Sequence, residues 1–332
     1  MKRKSALCLT LCVVLNLFVF TQISFAADVI TETSGSFTYT YNPNNKEMYI
    51  DGEGVLDRHM FALDKYYNEI ESLIIGDNIT EIGMYLFWGC PNMVSLKLGK
   101  NLKTISIYCF SGSKKLKSVE FPESLTKIDD YSFASCESLK SVYIHSGITY
   151  IGMSVFTYGS SLESIIVDEQ NPRYISKNGI LYDKSGEWLM RYPSGKTQKR
   201  FIVPSHVTNI SGGAFAGNKN LTSVIIPESV EEIIDFCFGD CDNLKILCYE
   251  NSKTHEFAKN FEKPYELITF IPGDIDCSGS VTLSDAMKIF QYIAGKADIS
   301  LTGDSFNAAD MDADTQIKLN DAMMIFQTVA GK

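Results

Sequence analysis

The chain has 332 residues, of which 45% are hydrophobic, and its 40 acidic residues exceed its 30 basic residues to give a net charge of −10. This acidic balance argues against nucleic acid or an anionic membrane surface as a partner, because phosphate groups are bound by clustered Lys and Arg. The 20 Phe and 17 Tyr residues argue against a disordered chain, and the length predicts about two domains.

The first 26 residues have the features of a secretory signal peptide. Residues 2–4 are basic, residues 6–20 form an apolar run, and a small residue, Ala26, stands where cleavage would occur. The run is too short to span a membrane comfortably, and no later apolar run approaches that length. We therefore expect an exported protein without membrane insertion.

Residues 27–69 are predicted to form an N-terminal β-hairpin cap. Segment 37–41 (Phe-Thr-Tyr-Thr-Tyr), a Pro-Asn-Asn turn at 43–45 and segment 48–50 (Met-Tyr-Ile) look like the hairpin that opens a repeat array. This hairpin would cover the first turn of the repeat array that follows it in the chain. Such a cap is needed because the uncovered end of a repeat array exposes its hydrophobic core and its strand edge to solvent.

A 23-residue repeat fills the middle of the chain. The phenylalanines that mark its six copies are Phe87, Phe110, Phe133, Phe156, Phe215 and Phe238. Within a copy, segments such as 116–121 and 139–144 alternate apolar and polar residues, which predicts a short strand with one buried face. The rest of each copy is too short for a long helix. Stacked copies therefore predict a mostly β solenoid with a parallel sheet along one side and short helical turns.

The recurring Ile-Gly, Phe, Cys, Leu, Ser-Val and Pro pattern resembles the BspA-like leucine-rich repeat family. The resemblance implies a leucine-rich repeat solenoid over residues 70–271, closed by a C-terminal cap with a short helix at 254–261. Phe156 and Phe215 lie 59 residues apart, 36 more than one repeat. The extra residues, near 170–200, are predicted to form an inserted β-hairpin.

Two sets of repeat residues are candidate binding positions. The first set is the large aromatic residues of the insertion, which either contact a glycan or a protein or pack the hairpin onto the solenoid. They are Tyr174, Tyr182, Trp188 and Tyr192. The second set is the outward positions of the predicted strands: Lys97, Glu120, Tyr143, Ile166 and Ile225. Its apolar pair, Ile166 and Ile225, indicates a contact surface unless strand packing covers it.

The repeat cysteines are predicted to be buried free thiols. Cys90, Cys136 and Cys241 share one phase of the repeat, while Cys109 and Cys237 share another. Cysteines of the same phase lie two or more copies apart, about 10 Å or more at the strand spacing, which is too far for a disulfide.

Residues 272–332 contain two twelve-residue segments typical of calcium loops, with oxygen-bearing side chains at positions 1, 3, 5 and 12 and a carbonyl at position 7. The proposed ligands of the first loop are Asp274, Asp276, Ser278, Ser280, Thr282 and Asp285. Those of the second loop are Asp310, Asp312, Asp314, Gln316 and Asp321. Each loop runs into a helix of nearly the same sequence, at 286–295 and 322–331, and no helix of comparable length precedes either loop.

The tandem loops and the duplicated helix resemble a type I dockerin, the module that attaches secreted proteins to cohesins on cellulosomal scaffolds. The resemblance implies a small all-α domain that binds two Ca²⁺ ions and a cohesin module. It places the cohesin contacts at Leu283, Ser284, Phe290, Gln291, Leu319, Asn320, Phe326 and Gln327. Phe290 and Phe326 either form this recognition surface or belong to the core beside Ile289 and Ile325.

The second loop departs from the pattern in two places. Thr315 replaces the Gly of the sharp turn, so a β-branched residue is expected at positive φ, at a cost of about 1–3 kcal/mol. Lys318 occupies position 9, where a ligand would otherwise reach the ion. We therefore predict that the second loop binds calcium more weakly.

Three functions are compatible with the sequence. The favoured one is a secreted, non-catalytic binding protein, extracellular and cellulosome- or cell-surface-associated, whose repeats bind an unknown protein or glycan. The second is an adhesin that binds carbohydrate through the inserted aromatics. The third is an unrecognised polysaccharide hydrolase, although a solenoid of 23-residue turns offers no obvious cleft for paired carboxylates.

Overall fold

The computed structural model describes residues 28–57, 63–296 and 299–331. The proposed signal peptide, residues 1–26, lies outside the described residues. Within them, a β-solenoid of about nine turns is followed by a small helical module, so the predicted fold class is confirmed. None of the helices in these ranges combines the length and the apolar character needed to cross a membrane.

The N-terminal cap is a meander rather than a single hairpin. Its strands are β1 (Ile30–Ser34), β2 (Phe37–Asn42), β3 (Glu47–Asp51) and β4 (Gly54–Leu56), and a 3₁₀ turn (Leu63–Tyr66) follows them. β1, β2 and β3 pair in antiparallel order, which buries Phe37, Tyr39 and Tyr41 on one face. β3 then pairs in parallel with the first repeat strand, so the cap covers the end of the solenoid.

Parallel strands line two faces of the solenoid, one more than the sequence predicted. The strands of the first half are β5 (Ser72–Ile75), β6 (Ile79–Ile82), β7 (Ser95–Lys97), β8 (Thr104–Ile105), β9 (Lys127–Ile128), β10 (Ser141–Ile144), β11 (Tyr150–Ile151) and β12 (Ser164–Val167). β4, β6, β8, β9 and β11 form the additional row. Most of its strands are only two residues long, too short for an alternating pattern to be visible in sequence.

The segment 116–121 has the side-chain pattern of a strand without being one. Leu116 and Val119 are buried while Lys117 and Glu120 are exposed, as the alternation predicts. No strand is assigned there. The hydrophobic pattern specifies which side chains point inward, whereas strand pairing also requires that the backbone groups of neighbouring turns be in register.

The insertion begins the second half of the solenoid. The elements of this half are β13 (Tyr174–Lys177), β14 (Ile180–Asp183), β15 (Trp188–Arg191), β16 (Arg200–Ile202), β17 (Asn209–Ile210), β18 (Ser223–Ile225), β19 (Glu232–Ile233), β20 (Lys245–Cys248), α1 (Lys253–Asn260) and β21 (Tyr265–Leu267). β13, β14 and β15 form an antiparallel meander, and β15 pairs in parallel with β17. The insertion is therefore built into the solenoid.

The core is a ladder of stacked phenylalanines with a break at the insertion. Phe87 and Phe110 stack at 5.6 Å between ring centroids, and Phe215 and Phe238 stack at 5.1 Å. These rings are buried in two separate apolar clusters, one on each side of the break. The cysteines in the described residues are free. The predicted buried thiols are confirmed at Cys90, Cys109, Cys136 and Cys237, whereas Cys241 is only half-buried.

Four candidate binding residues are buried, so a surface contact is wrong for them and the packing alternative holds: Tyr174, Tyr182, Tyr192 and Ile225. Tyr192 is 1% exposed and stacks on Phe215, and it lies with Tyr182 in the second core cluster. Ile225 is 2% exposed. The chain leaving the solenoid crosses the outer face of its last strands, and Ile268 packs over Ile225 and Leu247.

The C-terminal module contains three helices: α2 (Leu283–Ile293), α3 (Asp304–Ala309) and α4 (Leu319–Val329). α2 and α4 are the predicted helices and pack against each other, while the short α3 was not predicted. Ile289 and Ile325 are fully buried between the helices. Ile202 of β16 packs against this core, so the module rests on the solenoid.

Candidate functional site

In the first loop, residues 274–285, three carboxylates converge. Asp274, Asp276 and Asp285 each offer an oxygen, and these atoms lie within 4.8 Å of one another. Asp274 is buried, and its carboxylate accepts hydrogen bonds from the backbone N–H groups of Gly279 (2.8 Å) and Ser278 (3.0 Å). The loop therefore wraps around its first carboxylate.

Asp285 joins the first loop to the helix that follows. One of its oxygens accepts from the Ile275 backbone N–H at 2.9 Å, and the other accepts from the Thr282 backbone N–H at 2.8 Å and the Thr282 hydroxyl at 2.9 Å. The Thr282 hydroxyl in turn accepts from the Ser284 N–H and forms the N-cap of α2. Thr282 thus serves the helix cap as well as the loop.

In the second loop, residues 310–321, the converging carboxylates are those of Asp310, Asp312 and Asp314, again within 4.8 Å of one another. Asp310 accepts from the Asp314 N–H at 3.1 Å and the Thr315 N–H at 3.2 Å. Asp321 accepts from the N–H groups of Met311 (2.9 Å) and Lys318 (2.8 Å), as Asp285 does in the first loop. Burial raises the pKa of the Asp321 carboxyl.

The other proposed ligands lie on the exposed side of the loops. The Ser278 hydroxyl donates to the Ser280 carbonyl at 3.2 Å, and Ser280 and Gln316 are exposed. Three carboxylates converging in each loop repel one another unless a cation lies between them. Their hard oxygen atoms are the donors that Ca²⁺ prefers, so the residues fit this ion.

Both loops adopt left-handed backbone at the same two positions. At position 6, Gly279 has φ +89° and Thr315 has φ +64°, so the expectation for Thr315 is confirmed. At position 4, Cys277 has φ +56° and Ala313 has φ +63°, a feature that residue type did not reveal. The second loop therefore has the backbone of the first without the glycine that favours it.

Cationic and amide side chains engage the loop carboxylates differently in the two copies. In the first loop, the Lys288 ammonium lies 3.1 Å from Asp276, and hydrogen bonds from Ser278 and Lys288 lower the pKa of that carboxyl. In the second loop, Lys318 forms an ion pair with Asp314 and lowers the pKa of the Asp314 carboxyl. The side-chain amide of Asn320 donates a hydrogen bond to Asp312. The contact of Lys288 with Asp276 was not predicted from the sequence.

A solenoid residue also contacts the second loop. The Arg200 guanidinium of β16 donates to the Asp310 backbone carbonyl at 2.5 Å. Burial lowers the pKa of Arg200, although the loop carboxylates oppose that shift. Thr269 donates to Asp304 at 2.9 Å nearby. Residues 110 positions apart meet here, which no local pattern could predict.

The residues proposed to contact cohesin lie mainly on the surface. Phe290 is 36% exposed and Phe326 is 48% exposed, so the core beside them is filled by Ile289 and Ile325 instead. Leu283 and Leu319 are more than half exposed. Ser284, Asn320 and Gln327 are exposed, and Gln291 is half-buried.

The four remaining strand-face candidates, Lys97, Glu120, Tyr143 and Ile166, are exposed. Tyr143 and Ile166 are paired neighbours on β10 and β12, and the Tyr143 hydroxyl donates to Asp168 at 2.6 Å. This hydrogen bond raises the pKa of Tyr143.

A second aromatic ladder, which was not predicted from the sequence, lies outside the core. Tyr85, Tyr108 and Tyr131 stack with ring centroids 5.0 and 4.7 Å apart, each at positive φ, and the half-exposed Trp88 packs edge-on against Tyr85. The signal was present, because each tyrosine stands two residues before a repeat Phe.

Comparison with protein families agrees with both parts of the structure. A model described as "BspA type Leucine rich repeat region" matches residues 60–182 and 194–289 in six copies. The chain belongs to the BspA-type leucine-rich repeat family. A type I dockerin model matches residues 272–330, so this repeat protein also carries a dockerin domain, a type that generally binds calcium.

A solved structure with a TM-score above 0.5 shares the repeat fold. A leucine-rich repeat protein from Eubacterium ventriosum is 23% identical, with a TM-score of 0.55 over 68% of this chain and 73% of that chain. The pneumococcal vaccine antigen PcpA is 19% identical, with a TM-score of 0.49 over 66% of this chain and 69% of that one. A leucine-rich repeat protein from Bacteroides ovatus is 17% identical, with a TM-score of 0.41 over 74% and 76%. No curated protein matches the sequence.

Proposed function

We propose that this protein is a secreted, non-catalytic leucine-rich repeat binding protein that joins a cellulosome-type polysaccharide-degrading complex through its dockerin. The observation that carries the proposal is the duplicated loop and helix, in which each converging set of carboxylates precedes a helix with an exposed phenylalanine. Calcium would hold the two loops in shape. The exposed faces of α2 and α4 would then bind a cohesin.

The recognition surface is apolar rather than charged. Leu283 and Phe290 of α2 correspond to Leu319 and Phe326 of α4. Because exposed aromatic and aliphatic side chains gain most when desolvated at an interface centre, these four residues would carry most of the cohesin-binding energy. The near-identity of the two copies would allow cohesin to bind in either of two orientations.

A pull-down with a type I cohesin tests the attachment. The full chain should be captured in calcium and released by a chelator, while a chain ending at residue 270 should not be captured. A double change, Phe290→Ala with Phe326→Ala, should abolish capture, whereas the matched change Tyr143→Ala on the solenoid should leave it intact. Capture that survives chelation would contradict the proposal.

A further inference from the structure

The additional row of strands is interrupted where the insertion begins. β11 is the last strand of one segment, and β15 starts the next by pairing with β17 rather than with β11. The backbone N–H of Ile151 on β11 instead donates to the Tyr174 hydroxyl at 2.8 Å. A side chain thus replaces the missing strand. Because that side chain fills less space than a strand, the interruption leaves a groove.

We call this the seam groove, and it has two adjoining parts. The larger is a cavity of about 360 Å³ lined by Arg173, Lys184 and Trp188 of the insertion. The smaller, about 120 Å³, is lined by the exposed Tyr150 and Met153 of the preceding turn. Met190 and Ser211 line both, so the two parts lie side by side.

The acidic group in the larger part is already engaged by its own turn. One oxygen of Asp183 accepts from the Trp188 backbone N–H at 2.8 Å, and the other accepts from the Ser185 hydroxyl at 2.6 Å. Lys184 donates to the backbone carbonyl of Asn171 at 2.7 Å. The ammonium is therefore positioned without being neutralised.

Arg173 is exposed at the rim of the same cavity. In the part of the chain that the structure describes, no carboxylate lies within ion-pair distance of its guanidinium and no hydrogen bond engages it. The larger part of the groove is therefore lined by two cations and one carboxylate, that of Asp183, which leaves a net positive charge of one. In a chain of net charge −10, this local excess of positive charge favours an anionic ligand.

Trp188 indicates what kind of anion fits. Its indole is partly exposed and lines the cavity, and no described residue accepts a hydrogen bond from its ring N–H. An aromatic face packs against the C–H face of a sugar ring, and a guanidinium binds a carboxylate through two parallel hydrogen bonds. We propose that the seam groove binds a carboxylate-bearing saccharide, with a uronate carboxylate on Arg173 and Lys184 and its ring on Trp188.

This inference rests on the proposed role of the repeats as a binding surface, but not on the attachment through the dockerin. The test uses the full chain in calcium, with tetragalacturonate as the probe and cellotetraose as the neutral control, followed by calorimetry and tryptophan fluorescence. Cohesin capture of the same samples is measured in parallel. Loss of one activity with retention of the other separates the two proposals.

Arg173→Ala should weaken tetragalacturonate binding about tenfold, the loss expected for a charge-assisted hydrogen bond. Trp188→Ala should weaken it as much, and Trp188→Phe, which keeps a ring for packing, should retain binding but lose the fluorescence change. Lys117→Ala, an exposed lysine on another turn, is the matched control and should bind normally. Absence of binding by the folded full chain, equal affinity for cellotetraose, or an unchanged affinity of Arg173→Ala would overturn the proposal.

Discussion

The two proposed calcium loops have nearly the same donor pattern and the same left-handed backbone, yet their surroundings differ. The first loop has glycine at its sharp turn and Lys288 paired with Asp276. The second has Thr315 at that turn, Lys318 paired with a loop carboxylate, and Arg200 of the solenoid on its first residue. Two copies of one motif can therefore share a backbone conformation and still differ in the free energy of calcium binding. The difference arises because different neighbouring side chains must be displaced from each loop when an ion binds.

The contrast has a consequence for attachment. Calcium entering the second loop competes with the Lys318 ammonium for Asp314 and meets the positive charge of Arg200. In the first loop, calcium likewise competes with the half-buried Lys288 for Asp276, so the difference between the loops rests on Arg200 and Thr315. If calcium orders each helix for cohesin binding, the first copy would be ready at lower calcium concentration than the second.

The largest expected effect is that of removing calcium from both loops. The helical module buries only a small core, so metal binding should be coupled to its folding. With a chelator present, hydrogen exchange should accelerate throughout α2 and α4 while the solenoid strands keep their protection. Equal loss of protection in β5–β20 would show that the two parts unfold together, contrary to this expectation.

Removing the first carboxylate of each loop should separate the two sites. Asp274→Ala should eliminate the tighter calcium-binding event and Asp310→Ala the weaker one, because each carboxylate is central to its own loop. Titration calorimetry of both variants against the unmodified chain measures this. Glu120→Ala on the solenoid is the control for loss of one negative charge, and two sites of equal affinity in the unmodified chain would contradict the asymmetry.

Neutralising Lys318 should make the loops more alike. Lys318→Met removes a charge close to the ion position and should raise calcium affinity of the second loop by about tenfold at moderate ionic strength. Lys318→Thr should do the same and also supply the N-cap that Thr282 provides in the first loop. An unchanged affinity in Lys318→Met would mean that the ammonium moves aside without cost.

The smallest effect is expected at the sharp turn. Thr315→Gly removes the cost of a β-branched residue at positive φ and should stabilise the calcium-bound module by about 1 kcal/mol. Gly279→Thr should destabilise it by a similar amount, because a Cβ there meets no atom within 4 Å and only the backbone conformation resists. Thermal unfolding in excess calcium compares the two variants, and the expected changes in stability have opposite signs. A change of the same sign in both variants would contradict this prediction.

The sequence by itself determined the periodic features. The spacing of Phe87, Phe110 and Phe133 predicted a ladder that the structure stacks at 5.3–5.6 Å, because identical turns place identical residues at the same height in the solenoid. The same logic predicted free thiols. It also located both loops, since metal ligands contributed by one short segment follow a local pattern.

The tertiary structure alone determined which residues are buried or in contact at the places where the 23-residue repeat is interrupted. Ile225 is covered because the chain leaving the solenoid folds back across the outer strands, and Tyr192 is buried because the insertion continues the stack. The contact of Arg200 with Asp310 and the groove beside Trp188 arise in the same way. Each of these features depends on contacts between segments on either side of a break in the repeat. The repeat spacing predicts the geometry of regular turns but not of the segments that interrupt them.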